Sequence, residues 1–285
     1  MTSCIDFERL EREIYQLRSV FQLASPFPNV VIDDFLHRDC LYKILGKLPA
    51  PKRAQKSNDY IFAKEKFENP TFWSMAPILE QLRSEILSDR LAAILSAVVD
   101  RELFVDPKFV GCGLHQGGAG SFLDIHADFS RHPSESKWLR ELNLLLHLNE
   151  DWEPGFGGQL NLRHAETGEQ GAVEPRLNRM VFMLTKGLTL HGYKPLCFPE
   201  GRYRTSVAAC AYSLDEDYAA NLVRTTVWRP EAAGIAKSLA AKLSPTLVRL
   251  KNTVLGSNTA RRANGDGGPS GRSWSRLALR RVLPT

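Results

Sequence analysis

The chain has 285 residues, 43% of them hydrophobic and 24% charged, with a net charge of +5 and five cysteines. That length suffices for one catalytic-sized core with appendages. No apolar run reaches the roughly eighteen residues of a membrane span, and an N-terminus charged from Asp6 onward does not read as a secretory leader, so the expected compartment is the cytoplasm.

The charge is unevenly placed. Between Arg229 and Thr285 eleven Lys/Arg stand against Glu231 and Asp266, which is +9 and leaves −4 for the rest of the +5 total. The high pI therefore belongs to the C-terminal segment, and the body before it is mildly acidic. Cys4, Cys40, Cys112, Cys197 and Cys210 are scattered without a CxxC pair and are expected to be reduced packing thiols.

In chain order, Leu10, Ile14, Leu17 and Phe21 recur at helical spacing between Ile5 and Leu23, and the Pro26/Pro28 pair stops that helix. The β-branched run Val30–Ile32 predicts a strand, and Cys40, Leu41, Ile44, Leu45 and Leu48 predict a helix after it. Pro51 to Asn58 reads as an exposed loop. Two helices are expected around Pro77–Leu87 and Asp89–Val99.

From Leu103 the period changes. Short β-rich runs appear at Lys108–His115, Phe122–Ile125, Leu142–Leu148, Gln159–Leu162, Arg179–Leu184 and Thr205–Tyr212, separated by glycine-rich breaks. Many short strands between such turns predict a double-sheet sandwich or jelly roll, and with helices ahead of them the fold class is α+β. Beyond Trp228 a basic helix carrying Ile235, Leu239 and Leu243 is expected, then a second around Leu247–Leu255. The stretch Gly256–Gly271 reads as disordered. The expected organisation is thus a support region at 1–102, a β core at 103–228 and a basic tail at 229–285.

In His126-Ala127-Asp128 the i and i+2 side chains of an extended segment point the same way, so imidazole and carboxylate can reach one ion. His191 lies 65 positions later. Two histidines and one carboxylate on one side of a metal leave three positions open, which a non-haem Fe(II) oxygenase needs. A bidentate 2-oxoacid then leaves a distal carboxylate in a dry site, which an arginine fork neutralises. Arg204 and Arg202 both compete for that role, and Arg204 is favoured because it directly precedes the apolar strand.

These residues, in order, with His115, Gly118, Arg140, Leu148-Asn149, Trp152, Gly157-Gly158, Pro175, Arg179, Gly192 and Gly201, resemble the prolyl 4-hydroxylase-like 2-oxoglutarate/Fe(II) oxygenases of bacteria from about Phe109 to Tyr212. The resemblance implies a double-stranded β-helix core with His126, Asp128 and His191 as catalytic iron ligands. It implies Arg204 on the C5 carboxylate of 2-oxoglutarate, with Fe(II), 2-oxoglutarate and O2 required, and it admits ascorbate as a stimulant. The implied reaction couples oxidative decarboxylation to succinate and CO2 with hydroxylation of an unactivated C–H. Where many relatives carry Tyr before Leu-Asn, this chain has His147, whose imidazole can donate a hydrogen bond to the same carboxylate or serve as a core histidine. Asp128 keeps the carboxylate that the related radical halogenases lack.

Other residues leave alternatives open. Asp124 is a metal ligand or a turn carboxylate, and Arg140 and Asn143 line the pocket or flank the sheet. Trp152 reads as an anchor for the loop before Gly157, and the polar insert Ser130–Ser136 as a loop covering substrate. The substrate classes that the resemblance admits are small-molecule, carrier-bound or peptidyl, read by 51–69 and 130–138. A zinc hydrolase with the same ligands would have no use for an arginine in the barrel. A non-catalytic jelly-roll module with a basic tail for an anionic partner is the reading from another class; the tail's one Trp274 does not interleave aromatics with its basic residues, so specific nucleic-acid binding is not expected. The tail otherwise reads as a solubilising extension whose removal after Trp228 would leave cosubstrate turnover intact.

Overall fold

The computed structural model describes residues 2–57, 61–216, 225–230, 237 and 239–244. The first expected helix is two, α1 (Phe7–Arg12) and α2 (Ile14–Leu23), broken at Glu13 with Leu10, Leu17 and Phe21 still buried on one side. α3 (Arg38–Leu45) follows, then α4 (Pro77–Ile86) and α5 (Asp89–Val99). Pro77 opens α4 where its missing N–H costs nothing. The Ser88 hydroxyl accepts from the Leu91 N–H to cap α5, which Asp100 ends in a left-handed turn.

The strands are β1 (Asn29–Ile32), β2 (Ala63–Asn69), β3 (Phe104–Val105), β4 (Gly113–Ala127), β5 (Trp138–His147), β6 (Leu160–His164), β7 (Gln170–Val173), β8 (Arg179–Leu184), β9 (Thr189–Tyr193), β10 (Arg204–Leu214) and β11 (Val227–Trp228). They pair antiparallel in the order β1-β8-β5-β10-β4-β9-β6-β7, with β2 and β11 also on β4 and β3 on β10. Neighbours distant in sequence, such as β5 beside β10, mark the crossovers of a jelly roll. The sheet wraps nearly into a barrel, the double-stranded β-helix that the residues resemble.

Both faces of the central strands are covered. Leu142, Leu144 and Leu146 of β5 and Met180 and Phe182 of β8 cluster with Leu10, Leu17, Phe21, Leu91 and Leu95 of the helices. The alternate β8 residues Val181 and Met183 pack inside the barrel with Phe27, Leu160, Leu162 and Val173. A strand buried on both sides reads as a near-continuous apolar run, which is why these two strands were legible.

The register of β5 against β10 slips between Ala211 and Tyr212: Ala211 faces Leu142, whereas Tyr212 faces Arg140. Glu141 is therefore the extra residue of a β-bulge, and Arg140 and Asn143, three apart, both turn toward the barrel cavity. Glu141 is buried elsewhere and takes Arg101 (3.1 Å), Lys186 (2.5 Å) and Ser213 (2.9 Å) as partners.

Several expectations are corrected. Cys112 and Cys210 are joined as a disulfide, so they are not thiols; β10 runs beside the start of β4, a proximity that a sequence separation of 98 conceals. The lysine- and glutamate-rich 63–69 forms strand β2 because β4 offers it a ladder, overriding poor β propensity. In the C-terminal segment Lys237 and residues 239–244 are helical, but Leu239 and Leu243 are exposed and Ala241 is the residue packed against Phe62 and Trp228. Ile235, the second tail helix and the stretch expected to be disordered lie outside the described residues. Among the described residues no helix is long and apolar enough to cross a membrane.

Candidate metal and cosubstrate site

β4 and β9 pair so that His126 stands directly opposite His191, with ring centroids 4.4 Å apart. Asp128, one residue past the end of β4, places Oδ1 3.5 Å from His126 Nε2 and Oδ2 3.6 Å from His191 Nε2. One donor atom from each residue lies within 4.8 Å of the other two, the only such cluster of three among the described residues. Gly192 makes this possible: a Cβ there would sit 2.5 Å from the Leu123 carbonyl oxygen, so only glycine lets β9 bring His191 this close to β4.

Electrostatics suit a divalent cation. His126 Nδ1 is 2.8 Å from the Asp124 carbonyl oxygen, which only accepts; Nδ1 therefore carries the proton and Nε2 presents its lone pair toward Asp128. Burial, with the neighbouring His126 adding to it, lowers the His191 pKa to about 3, so that ring is neutral. Burial pushes the Asp128 carboxyl upward, but Arg140, His191 and His126 outweigh it and hold it well below the usual range, so it is ionised. The His126 Nε2, a neutral His191 and an ionised Asp128 form a donor set that fits a borderline metal such as Fe(II).

Arg204 opens β10, is 7% exposed, and lines the same cavity. Its Nε donates to the Gly158 carbonyl (2.6 Å), and its guanidinium lies 4.7 Å from the Tyr193 ring centre. A Cβ on Gly158 would meet Arg204 Cδ at 2.9 Å, and with φ +82° the backbone there is one that glycine adopts without strain. Arg202 turns away: it donates to the Glu150 carbonyl and lies over Phe156. Of the two candidate arginines, only Arg204 reaches the cavity.

His147 is fully buried, and neither ring nitrogen has a hydrogen-bond partner among the described residues. Burial, then Arg204 and Arg179, lowers its pKa, so it is a neutral imidazole with unspent donor capacity beside Arg204. His115, quoted in the motif without a role, lines the cavity, whose lining does not include His147; its Nε2 is unpartnered among the described residues and its pKa is lowered to about 3 by burial and Lys66. Tyr193 was missed as well; alternation along β9 puts it on the same face as His191, a signal that was present in the sequence.

The open alternatives resolve by placement. Arg140 and Asn143 line the cavity beside Asp128. Asp124 pairs with Lys237 at 2.7 Å and is no part of the donor cluster. Trp152 donates to the Gly157 carbonyl (2.8 Å), anchoring that loop as expected. The insert 130–136 is tethered: buried Arg131 pairs with Asp215 and donates to the Ser136 carbonyl, and buried His132 packs on Trp138 at 5.0 Å.

The fold and the donor set together give a jelly roll whose cavity holds a cluster able to bind a metal ion beside a buried arginine. Residues 112–210, which hold all three donors and Arg204, match the family model described as the 2OG-Fe(II) oxygenase superfamily. Solved structures similar to it include a Pseudomonas putida prolyl-4-hydroxylase (19% identity, 70% of this chain and 98% of that one, TM-score 0.46). A Phytophthora capsici prolyl 4-hydroxylase (19%, 92% and 84%, 0.49) is also similar, as is a Trichoplax adhaerens prolyl hydroxylase solved with a hypoxia inducible factor peptide fragment (16%, 74% and 92%, 0.47). No curated protein matches the sequence.

Proposed function

We propose that the chain is an Fe(II)- and 2-oxoglutarate-dependent dioxygenase that hydroxylates an unactivated C–H of an amino-acid-derived, peptidyl or other small-molecule substrate, releasing succinate and CO2. The observation that carries this reading is the meeting, in one cavity, of the His126/Asp128/His191 donor cluster with a buried arginine that has no carboxylate partner among the described residues. A zinc hydrolase with the same ligands would leave that desolvated guanidinium without a purpose.

In this reading His126, Asp128 and His191 hold the metal, which when loaded supplies the oxidising chemistry. The chain's own residues do the rest. Arg204 binds the C5 carboxylate of 2-oxoglutarate by charge-assisted hydrogen bonds, with its stem fixed between Gly158 and Tyr193. His147 donates one hydrogen bond to the same carboxylate from a ring that burial keeps neutral.

The test is reconstitution with Fe(II) and 2-oxoglutarate under nitrogen, admission of O2, and measurement of succinate, first alone and then with candidate amino acids, peptides and carrier-bound forms. Oxygen-dependent succinate that rises with one substrate class supports the reading. Tightly bound zinc with no oxygen-dependent succinate overturns it, and would favour a hydrolase or a non-catalytic module.

A further inference from the structure

Asp128 is held from behind by a pair that the sheet's regular alternation would not bring together. The bulge at Glu141 turns Arg140 inward beside Asn143. Arg140 donates to Asn143 Oδ1 twice, from Nε (3.0 Å) and Nη2 (2.6 Å), and Asn143 Nδ2 donates to Asp128 Oδ2 (2.8 Å). Arg140 Nη2 also lies 3.3 Å from the same Asp128 oxygen. Arginine has donors only, so the Asn143 oxygen must face Arg140 and its amide N–H must face Asp128. Hydrogen bonding runs one way, from Arg140 through Asn143 to Asp128, and the Arg140 guanidinium is itself fixed 4.4 Å from the Phe129 ring centre.

We infer that Arg140 and Asn143 are positioning residues for the metal: they fix the rotation of the Asp128 carboxylate, so that it binds as a one-oxygen ligand with Oδ2 committed to Asn143. This rests on reading His126, Asp128 and His191 as the metal ligands. A carboxylate free to turn would reach the ion through two oxygens and occupy a coordination position that the cosubstrate or O2 needs. Asn143 carries this role better than a second charge would, because a neutral amide donates to Asp128 without competing with the cation.

Three measurements on the full chain test it: anaerobic Fe(II) titration, the ligand-field absorption of the Co(II)-loaded protein, and succinate release, for wild type, Asn143→Leu and Arg140→Met. Expected is a loss of Fe(II) affinity of about 10- to 100-fold in N143L, and a smaller loss of the same sign in R140M. The Co(II) bands should also shift in both. A purely structural role would lower the unfolding temperature of the metal-free protein without moving those bands. If N143L does not fold, R140M decides. Unchanged Fe(II) affinity and Co(II) spectra in the folded variants, with wild type turning over normally, overturn the bracket and leave the oxygenase reading standing. Wild type that binds Fe(II) but releases no succinate sinks the oxygenase reading instead, and the affinity and spectral comparison still decides the bracket. Wild type that binds no Fe(II) overturns both.

Discussion

The Trp228 ring lies 4.8 Å from the His126 ring, and Trp228 also stacks on Phe62 at 5.0 Å with 11° between planes. β11 thus covers the donor cluster's outer flank, and the chain beyond it holds β11 down. The Arg229 N–H donates to the Ile125 carbonyl (2.8 Å), Lys237 pairs with Asp124, and Ala241 packs under Phe62 and Trp228. The start of the basic segment belongs structurally to the site, which revises the expectation that everything after Trp228 is expendable.

Truncation therefore has a graded outcome. Removing residues 245–285 should leave oxygen-dependent succinate release within about twofold of wild type. Removing everything after Trp228 should lower it severalfold, because Lys237 and Ala241 go with it. Trp228→Ala should cost about 3–5 kcal/mol of stability, the usual range for deleting a buried tryptophan, read by urea unfolding.

Arg204 and Arg202 separate the cosubstrate role. Arg204→Met should raise the KM for 2-oxoglutarate by about 100-fold or more, since a charge-assisted, desolvated contact is lost. Arg202→Ala should leave that KM unchanged, because Arg202 faces Glu150 and Phe156 outside the cavity. Steady-state kinetics on both variants checks the assignment.

Gly192→Ala forces a Cβ to within 2.5 Å of one β4 carbonyl oxygen and 2.8 Å of the next, which are backbone atoms unable to move aside. Destabilisation of about 1–3 kcal/mol is expected from overpacking alone. Metal affinity should fall with it, because His191 is displaced from His126. Chemical denaturation together with Fe(II) titration reads both.

Stability should depend on acidity in one direction. His115 and His147 have folded-state pKa values depressed below the ordinary 6.5, His115 to about 3, so below pH 6.5 the unfolded chain binds more protons than the folded one. Their contribution is complete above pH 6.5 and is lost as the pH falls below it, for His115 down to about 3. Each adds a slope of up to about 1.4 kcal/mol per pH unit. Urea unfolding of the metal-free protein from pH 7 to 4.5 should show this decline, and His115→Gln and His147→Gln should each flatten it.

Chemistry was more legible than topology. β8 and the core of β5 announced themselves as apolar runs because both faces are covered, and His126-Ala127-Asp128 with Arg204 could be read from local alternation. What escaped depended on pairing across long loops. Strand β9 is five residues with His191 at its centre and Gly192 after it, and it has meaning only beside β4. The charged strand β2 and the Cys112–Cys210 bond are likewise products of neighbours far away in sequence. Arg140 and Asn143, three apart, sit on opposite faces of any regular strand, and only the bulge at Glu141 reconciles them. The docking of Trp228 on His126 carries no local signal at all.

The most direct test is metal content and oxygen-dependent succinate release in three parallel preparations: wild type, Asp128→Ala and His191→Ala, each checked for folding by circular dichroism. Stoichiometric iron with succinate release in wild type, and loss of both by at least 100-fold in the two folded variants, is the expected result. Turnover retained in either folded variant contradicts the assignment of the metal ligands.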